Sequence, residues 1–155
     1  MSTSSPAQKR VLIVCSSGGH LQEALLATEG VSVDRFIATF ALPHLKSTLS
    51  NEKVYGLVDP HTSLLKYAVN AVQSVWILLR VRPDVVLTTG AGIALACAVL
   101  GKRLGARLIV VETAACVTQP SRTGAFLHRF ADLFIVQWPG LLRQYPKAVY
   151  GGALL

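Results

Sequence analysis

Short, unbroken apolar runs alternate along this chain with longer segments whose apolar positions recur at helical spacing. The run Val11-Leu12-Ile13-Val14 is uninterrupted and rich in β-branched residues, as a strand buried on both faces should be. The pattern predicts a strand over 11–15, a helix over 19–29, a strand over 33–40, a short helix over 43–49 and a strand over 53–58. Asp59-Pro60-His61-Thr62-Ser63 then opens the longest helical segment, 64–80, with Thr62 or Ser63 as its cap and Pro83 as its stop. A strand over 84–88, a helix over 93–104 ended by Gly105, and a strand over 107–111 follow. Pro120-Ser121 starts a helix to 130, and a strand over 133–136, a short helix over 141–144 and a strand over 148–150 complete the series. Strict alternation of this kind predicts an α/β fold, a Rossmann-like, doubly wound, mostly parallel sheet. Residues 1–9 read as a disordered Ser-rich tail and 10–155 as one domain.

Such sheets bind ligands in the crevice beyond the carboxyl ends of their strands. The unusual residues of the chain fall there repeatedly: Ser16, Ser17, Gly18, Gly19 and His20 after the first strand, Thr89, Gly90 and Gly92 after the fourth, Glu112 and Thr113 after the fifth. Glycines let backbone approach a ligand closely, and the free N–H groups of a helix's first turn favour an anion. Two glycine turns on one rim suit a diphosphate or a sugar. A dinucleotide fold would carry G-x-G-x-x-G with an acidic residue ending the second strand, where Phe40 stands, and a P-loop would carry Gly-Lys-Ser/Thr; the chain has neither.

Composition adds partners to this picture. Of 155 residues, 52% are hydrophobic and only 15% charged, and the mean hydropathy is +0.48, so apolar surface is expected to meet a partner or a membrane. A net charge of +7 favours phosphates and anionic headgroups, while the absence of basic tracts interleaved with aromatics argues against nucleic acid. Cys15, Cys97 and Cys116 lack metal-ligand spacing and read as reduced cytosolic thiols; no metal site and no targeting segment is visible. In segment 64–80, Lys66, Asn70, Gln73 and Arg80 form a narrow polar stripe within a wide apolar arc. Two readings stand: a helix packed between sheet and neighbour, or a membrane-surface contact with Trp76 at the interface and Arg80 and Arg82 on headgroups. The polar positions break the run as a transmembrane span.

The stretches Ser16-Ser17-Gly18-Gly19-His20-Leu21, Arg82-Pro83-Asp84-Val85-Val86, Thr89-Gly90-Ala91-Gly92, Leu104-Gly105-Ala106 and Val111-Glu112 carry a family resemblance. It continues through Pro120-Ser121, Thr123-Gly124, Ala131-Asp132-Leu133-Phe134-Ile135-Val136-Gln137-Trp138 and Tyr145-Pro146-Lys147-Ala148-Val149-Tyr150-Gly151-Gly152. The chain resembles the acceptor-side subunit of two-component GT-B glycosyltransferases of exopolysaccharide and capsule synthesis. That group is similar to the membrane-anchoring subunit of the eukaryotic UDP-GlcNAc transferase of lipid-linked oligosaccharide synthesis.

The resemblance implies one of two facing Rossmann-like domains, the one that receives a polyprenyl-diphosphate-linked sugar. A partner subunit would bind the UDP-sugar donor, no cofactor or metal would be held, and the pair would sit peripherally at the inner face of the plasma membrane. The chain is expected to stop where a linker to the second domain would begin, and to be inactive alone. In inverting transfer a base must take the proton of the attacking hydroxyl; His20 is the candidate, with hydrogen bonding to the acceptor diphosphate as its rival role. Glu112 is assigned to acceptor hydroxyls or to orienting His20. Ser16, Ser17, Gly18, Gly19, Thr89, Gly90, Gly92 and Thr113 are assigned to the diphosphate and sugar. The alternative is a non-catalytic membrane scaffold that recruits and activates its partner.

Overall fold

Strand β1 (Arg10–Val14) is buried from its second residue to its last, so the apolar run that opens the sequence is the centre of the molecule. The structure, a computed structural model, describes residues 8–40, 49–50 and 52–154. Seven parallel strands form one sheet: β1, β2 (Asp34–Phe40), β3 (Lys53–Leu57), β4 (Val85–Thr88), β5 (Arg107–Val111), β6 (Leu133–Val136) and β7 (Val149–Tyr150). Their order across the sheet is β3-β2-β1-β4-β5-β6-β7. The expected α/β class is what the chain adopts.

Helix α1 (Gly19–Ala27) joins β1 to β2, moving one way across the sheet, whereas α3 (Leu95–Arg103) joins β4 to β5, moving the other. Right-handed crossovers therefore put these helices on opposite faces. The core divides accordingly. Val11, Ile13, Cys15, Ile37 and Leu87 pack with Leu21 and Ala24 of α1, while Leu12, Val14, Phe36, Val86 and Leu108 pack beneath α3 and α2 (Leu64–Val81). Winding reverses between β1 and β4, so the crevice at their carboxyl ends is the topological switch point, where such sheets hold ligands.

Several expected elements are trimmed by local chemistry. The helix expected to reach 130 is α4 (Arg122–Leu127), capped by Ser121, whose hydroxyl accepts the Gly124 N–H at 2.8 Å. The helix expected from 93 begins as a 3₁₀ turn, Gly92–Ala94, and the one at 141–144 is a 3₁₀ helix, Pro139–Arg143. Ser63 caps α2, accepting the Lys66 N–H at 3.4 Å. The expected helix over 43–49 falls outside the described residues except for Leu49, as does the expected tail except for Gln8 and Lys9.

The middle of the polar stripe on α2 lies inside the protein. Asn70 and Ser74 are buried with Ile77, Leu78 and Val81, and Gln73 is half-buried. The Asn70 amide donates to the Val58 carbonyl at 2.9 Å and the Ile93 carbonyl at 3.1 Å, and Gln73 Oε1 accepts the Val58 N–H at 2.9 Å. Only Lys66 and Arg80 of the four polar positions are exposed. The middle of the stripe hydrogen-bonds the Val58 and Ile93 backbone groups.

Candidate functional site

Two turns meet at the switch point. After β1 the chain runs through half-buried Ser16 and Ser17 to exposed Gly18 and Gly19, and enters α1. No side chain among the described residues caps α1, so its first-turn N–H groups are left available as donors for an anion. After β4 come Thr89, Gly90 and the Gly92 turn. Thr89, fully buried, donates its hydroxyl to the His20 carbonyl at 2.7 Å and so ties the two turns together. The Thr88 hydroxyl accepts the Gly90 N–H at 3.0 Å.

The imidazole of His20 lies on Gly90. A Cβ built on Gly90 would stand 3.6 Å from His20 Cε1 and 4.0 Å from Nδ1, and the backbone there has φ +113°. Nδ1 is buried and has no hydrogen-bond partner among the described residues. Buried polar nitrogens are ordinarily paired, so this orphaned atom sets His20 apart from the rest of the rim. Tyr67 of α2 also reaches this rim: its hydroxyl lies 3.4 Å from a Cβ built on Gly92. The sequence assigned Tyr67 no role, because it stands 25 positions before Gly92 and only the β3-to-β4 crossover brings it there.

Beside this crevice lies a closed polar network. Glu112, at the end of β5, is buried and gives one carboxylate oxygen to the Tyr145 hydroxyl at 2.9 Å and the Ser121 N–H at 3.3 Å. Its other oxygen accepts the Thr113 N–H at 3.3 Å. Helix α4 passes so close that a Cβ at Gly124 would overlap this carboxylate and stand 2.9 Å from Ser121 Oγ. Glu23 of α1 is also buried; it accepts the Thr113 hydroxyl at 2.9 Å, the Ala114 N–H at 3.2 Å and the Gln137 amide at 3.2 Å. Gln137 also donates to the Glu112 carbonyl at 3.1 Å. Neither carboxylate has an ion-pair partner among the described residues. Both are held by neutral donors, which satisfies them without a buried cation.

The structure thus brings Ser16, Ser17, Gly18, Gly19, His20, Thr89, Gly90 and Gly92 to one crevice and places Glu112 and Thr113 in the adjoining network. Among the described residues the Glu112 carboxylate hydrogen-bonds Tyr145, Ser121 and Thr113, and not His20. Trp76, Arg80 and Arg82 lie elsewhere, on the outer side of α2 and just past its end. Sequence reasoning missed Glu23 and Gln137. Gln137 carries the same signal that drew attention to Glu112, a polar residue directly after a buried strand; Glu23 sits within the helical run that follows His20 and carries none.

Burial pushes the Cys15 thiol beneath this crevice up to about 12, against a hydrogen bond with Thr89 that lowers it, so the sulfur is no nucleophile near neutrality. Burial, then the charges of Glu112 and Glu23, also raise half-buried Cys116. No group of three or more His, Cys, Asp or Glu side chains able to hold a metal occurs among the described residues.

A family model described as "Oligosaccharide biosynthesis protein Alg14 like" matches residues 57–154, which include the Thr89–Gly92 turn and the Glu112 network. The chain belongs to the Alg14-like family. It is 30% identical over 177 residues to the UDP-N-acetylglucosamine transferase subunit alg14 of Schizosaccharomyces pombe, with 95% of this chain and 84% of that protein covered. It is 28% identical over 181 residues to the ALG14 subunit of Mus musculus, covering 94% and 83%. Among solved structures this Alg14-like chain is similar to MurG of Acinetobacter baumannii, with a TM-score of 0.71 at 17% identity. That likeness covers 85% of this chain but only 42% of MurG, and it shows a GT-B N-terminal-type fold.

Proposed function

We propose that this Alg14-like chain is the acceptor-side subunit of a UDP-N-acetylglucosamine-dependent glycosyltransferase. The observation that carries the reading is the switch-point crevice: an uncapped helix start, two glycine turns and a histidine with an orphaned buried nitrogen, in a chain whose family relatives are named transferase subunits. The first-turn N–H groups of α1, with Ser16 and Ser17, hold the diphosphate of a polyprenyl-diphosphate-linked sugar. Thr89 and Gly90 fix the His20 ring beside it. The second subunit contributes the nucleotide-sugar site and closes the crevice, and the pair works peripherally at the inner face of the plasma membrane in exopolysaccharide or capsule synthesis.

In the reaction, an acceptor hydroxyl attacks the anomeric carbon of the donor sugar, the bond to UDP breaks, and UDP leaves with the electron pair. His20 Nε2 takes the hydroxyl proton, and the positive end of α1 offsets acceptor charge. Glu112 acts through Tyr145 and Ser121 as a positioning residue, fixing the β5-to-α4 connection beside the site.

A second reading, scaffold without a base, is favoured by one feature: no carboxylate among the described residues orients His20. Activity of the reconstituted pair with His20→Ala and His20→Gln separates them. Loss of a base lowers kcat by on the order of 10²–10⁴ for both variants. A diphosphate ligand gives a raised KM that the glutamine variant partly restores. Unchanged kcat and KM with intact assembly would leave only the scaffold.

A further inference from the structure

Helix α2 carries large apolar side chains on its outer side as well as on the side that packs against the core, where Ile77, Leu78 and Val81 are buried. Its inner side carries Asn70 and Ser74, both 0% exposed, with Gln73 half-buried beside them. Its outer side carries Leu64 at 86% exposure, Leu65 at 75%, Val72 at 71%, Leu79 at 59% and Trp76 at 58%. These outward positions recur at helical spacing over about 22 Å, at ~1.5 Å per residue. Isolated exposed apolar residues are ordinary on proteins; a continuous apolar face of this length is a contact surface. The helix has the length and composition of a membrane span, yet its inner stripe is packed into the core beneath it, so it lies along the domain.

We propose that the outer face of α2 lies flat in the interface of an anionic phospholipid bilayer. Charge selects this occupant. No acidic residue occurs between Asp59 and Asp84, while Lys66, Arg80 and Arg82 are exposed along and just beyond the helix. At the Arg82 end, a cavity of about 760 Å³ between the ends of α2 and α3 is lined by Lys9, Arg82 and Arg107, with Leu79 and Leu104 at its walls and Asp84 as its one acidic side chain. Apolar outer face and basic end together are the pattern of a helix seated in a membrane interface, with the protein body covering its inner side. Trp76 is held outward with its ring edge-on to Tyr55, centroids 6.0 Å apart, and indole is a side chain favoured at membrane interfaces. The opposite end of α2 carries Tyr67 to the Gly92 rim, so docking sets the crevice at the membrane surface.

This inference rests on α2 alone and not on the transferase reading, so its test needs neither donor nor acceptor. The full chain is mixed with vesicles of phosphatidylcholine, or of phosphatidylcholine with phosphatidylglycerol, and sedimented. Trp76 emission is read as the difference between the chain and its Trp76→Phe variant, with brominated acyl chains as quencher. The expected result is sedimentation with the anionic vesicles, blue-shifted and quenched Trp76 emission, and a loss of about tenfold or more in partition for the doubly exposed variant Val72→Glu/Leu79→Glu. Arg80→Glu/Arg82→Glu should remove the preference for phosphatidylglycerol. Circular dichroism confirms that both variants fold. Three results would each overturn the proposal: unquenched Trp76 with vesicles present, a dimer in solution that Val72→Glu splits, or a partner complex that Val72→Glu breaks while vesicle binding persists.

Discussion

His20 and Gly90 are in direct register across the switch point: the ring of one covers the α-carbon of the other, 3.6 Å from where a Cβ would stand. The contact itself is ordinary van der Waals spacing. What reserves the position for glycine is φ +113°, a region closed to other residues at a cost on the order of 1–3 kcal/mol. Gly90→Ala is therefore expected to destabilise the chain by about that amount and to displace the imidazole, lowering transfer by the reconstituted pair. Thermal unfolding and a turnover assay check the two halves separately; a variant of unchanged stability and turnover would remove Gly90 from the site.

The Tyr145 hydroxyl is one of two donors on a single buried oxygen of Glu112. Tyr145→Phe leaves that oxygen with only the Ser121 N–H, and a loss of about 1–3 kcal/mol is expected from urea unfolding. Gly124→Ala should cost more, because its Cβ meets the carboxylate itself within a buried helix start. Neither substitution touches His20, so in the surviving folded fraction KM for the acceptor should move less than it does in His20→Ala.

The thiols give a pH prediction. Burial raises Cys15 and Cys97 from 9.0 to about 12. Above 9.0 the unfolded chain loses these protons while the folded chain keeps them, so folding stability falls as pH rises towards 12. Tyr145, raised first by burial and then by Glu112, acts in the same direction. Urea midpoints measured on both sides of pH 9.0 should show this decline, and Cys15→Ala/Cys97→Ala should flatten it. In the native chain a thiol reagent should modify Cys116 alone, and Glu112→Gln should speed that reaction by removing a neighbouring negative charge.

Much of the architecture was legible because parallel strands buried on both faces must be written as apolar runs, and tight strand-to-helix turns must be written with small residues. Ser16 to His20 and Thr89 to Gly92 announced themselves in this way. Glu112 was legible as a buried carboxylate, but its partner was not, since Tyr145 lies 33 residues on and reaches it only through the fold. Glu23 and Gln137 are 114 residues apart, beyond any local pattern. The α2 stripe shows a different limit. Periodicity separates the faces of a helix, but not which one turns inward; here Asn70 and Gln73 of the polar stripe turn in to hydrogen-bond the Val58 and Ile93 backbone groups.

The central claim is that this chain supplies one half of a shared active site. Its most direct test is N-acetylglucosamine transfer from the UDP-sugar to a polyprenyl-diphosphate-linked acceptor, measured for the purified chain, for its partner subunit and for the two co-purified. Turnover only in the pair, abolished or reduced by His20→Ala without loss of assembly, is the predicted result. Turnover by the chain alone would contradict it, and would require a donor site within these 155 residues.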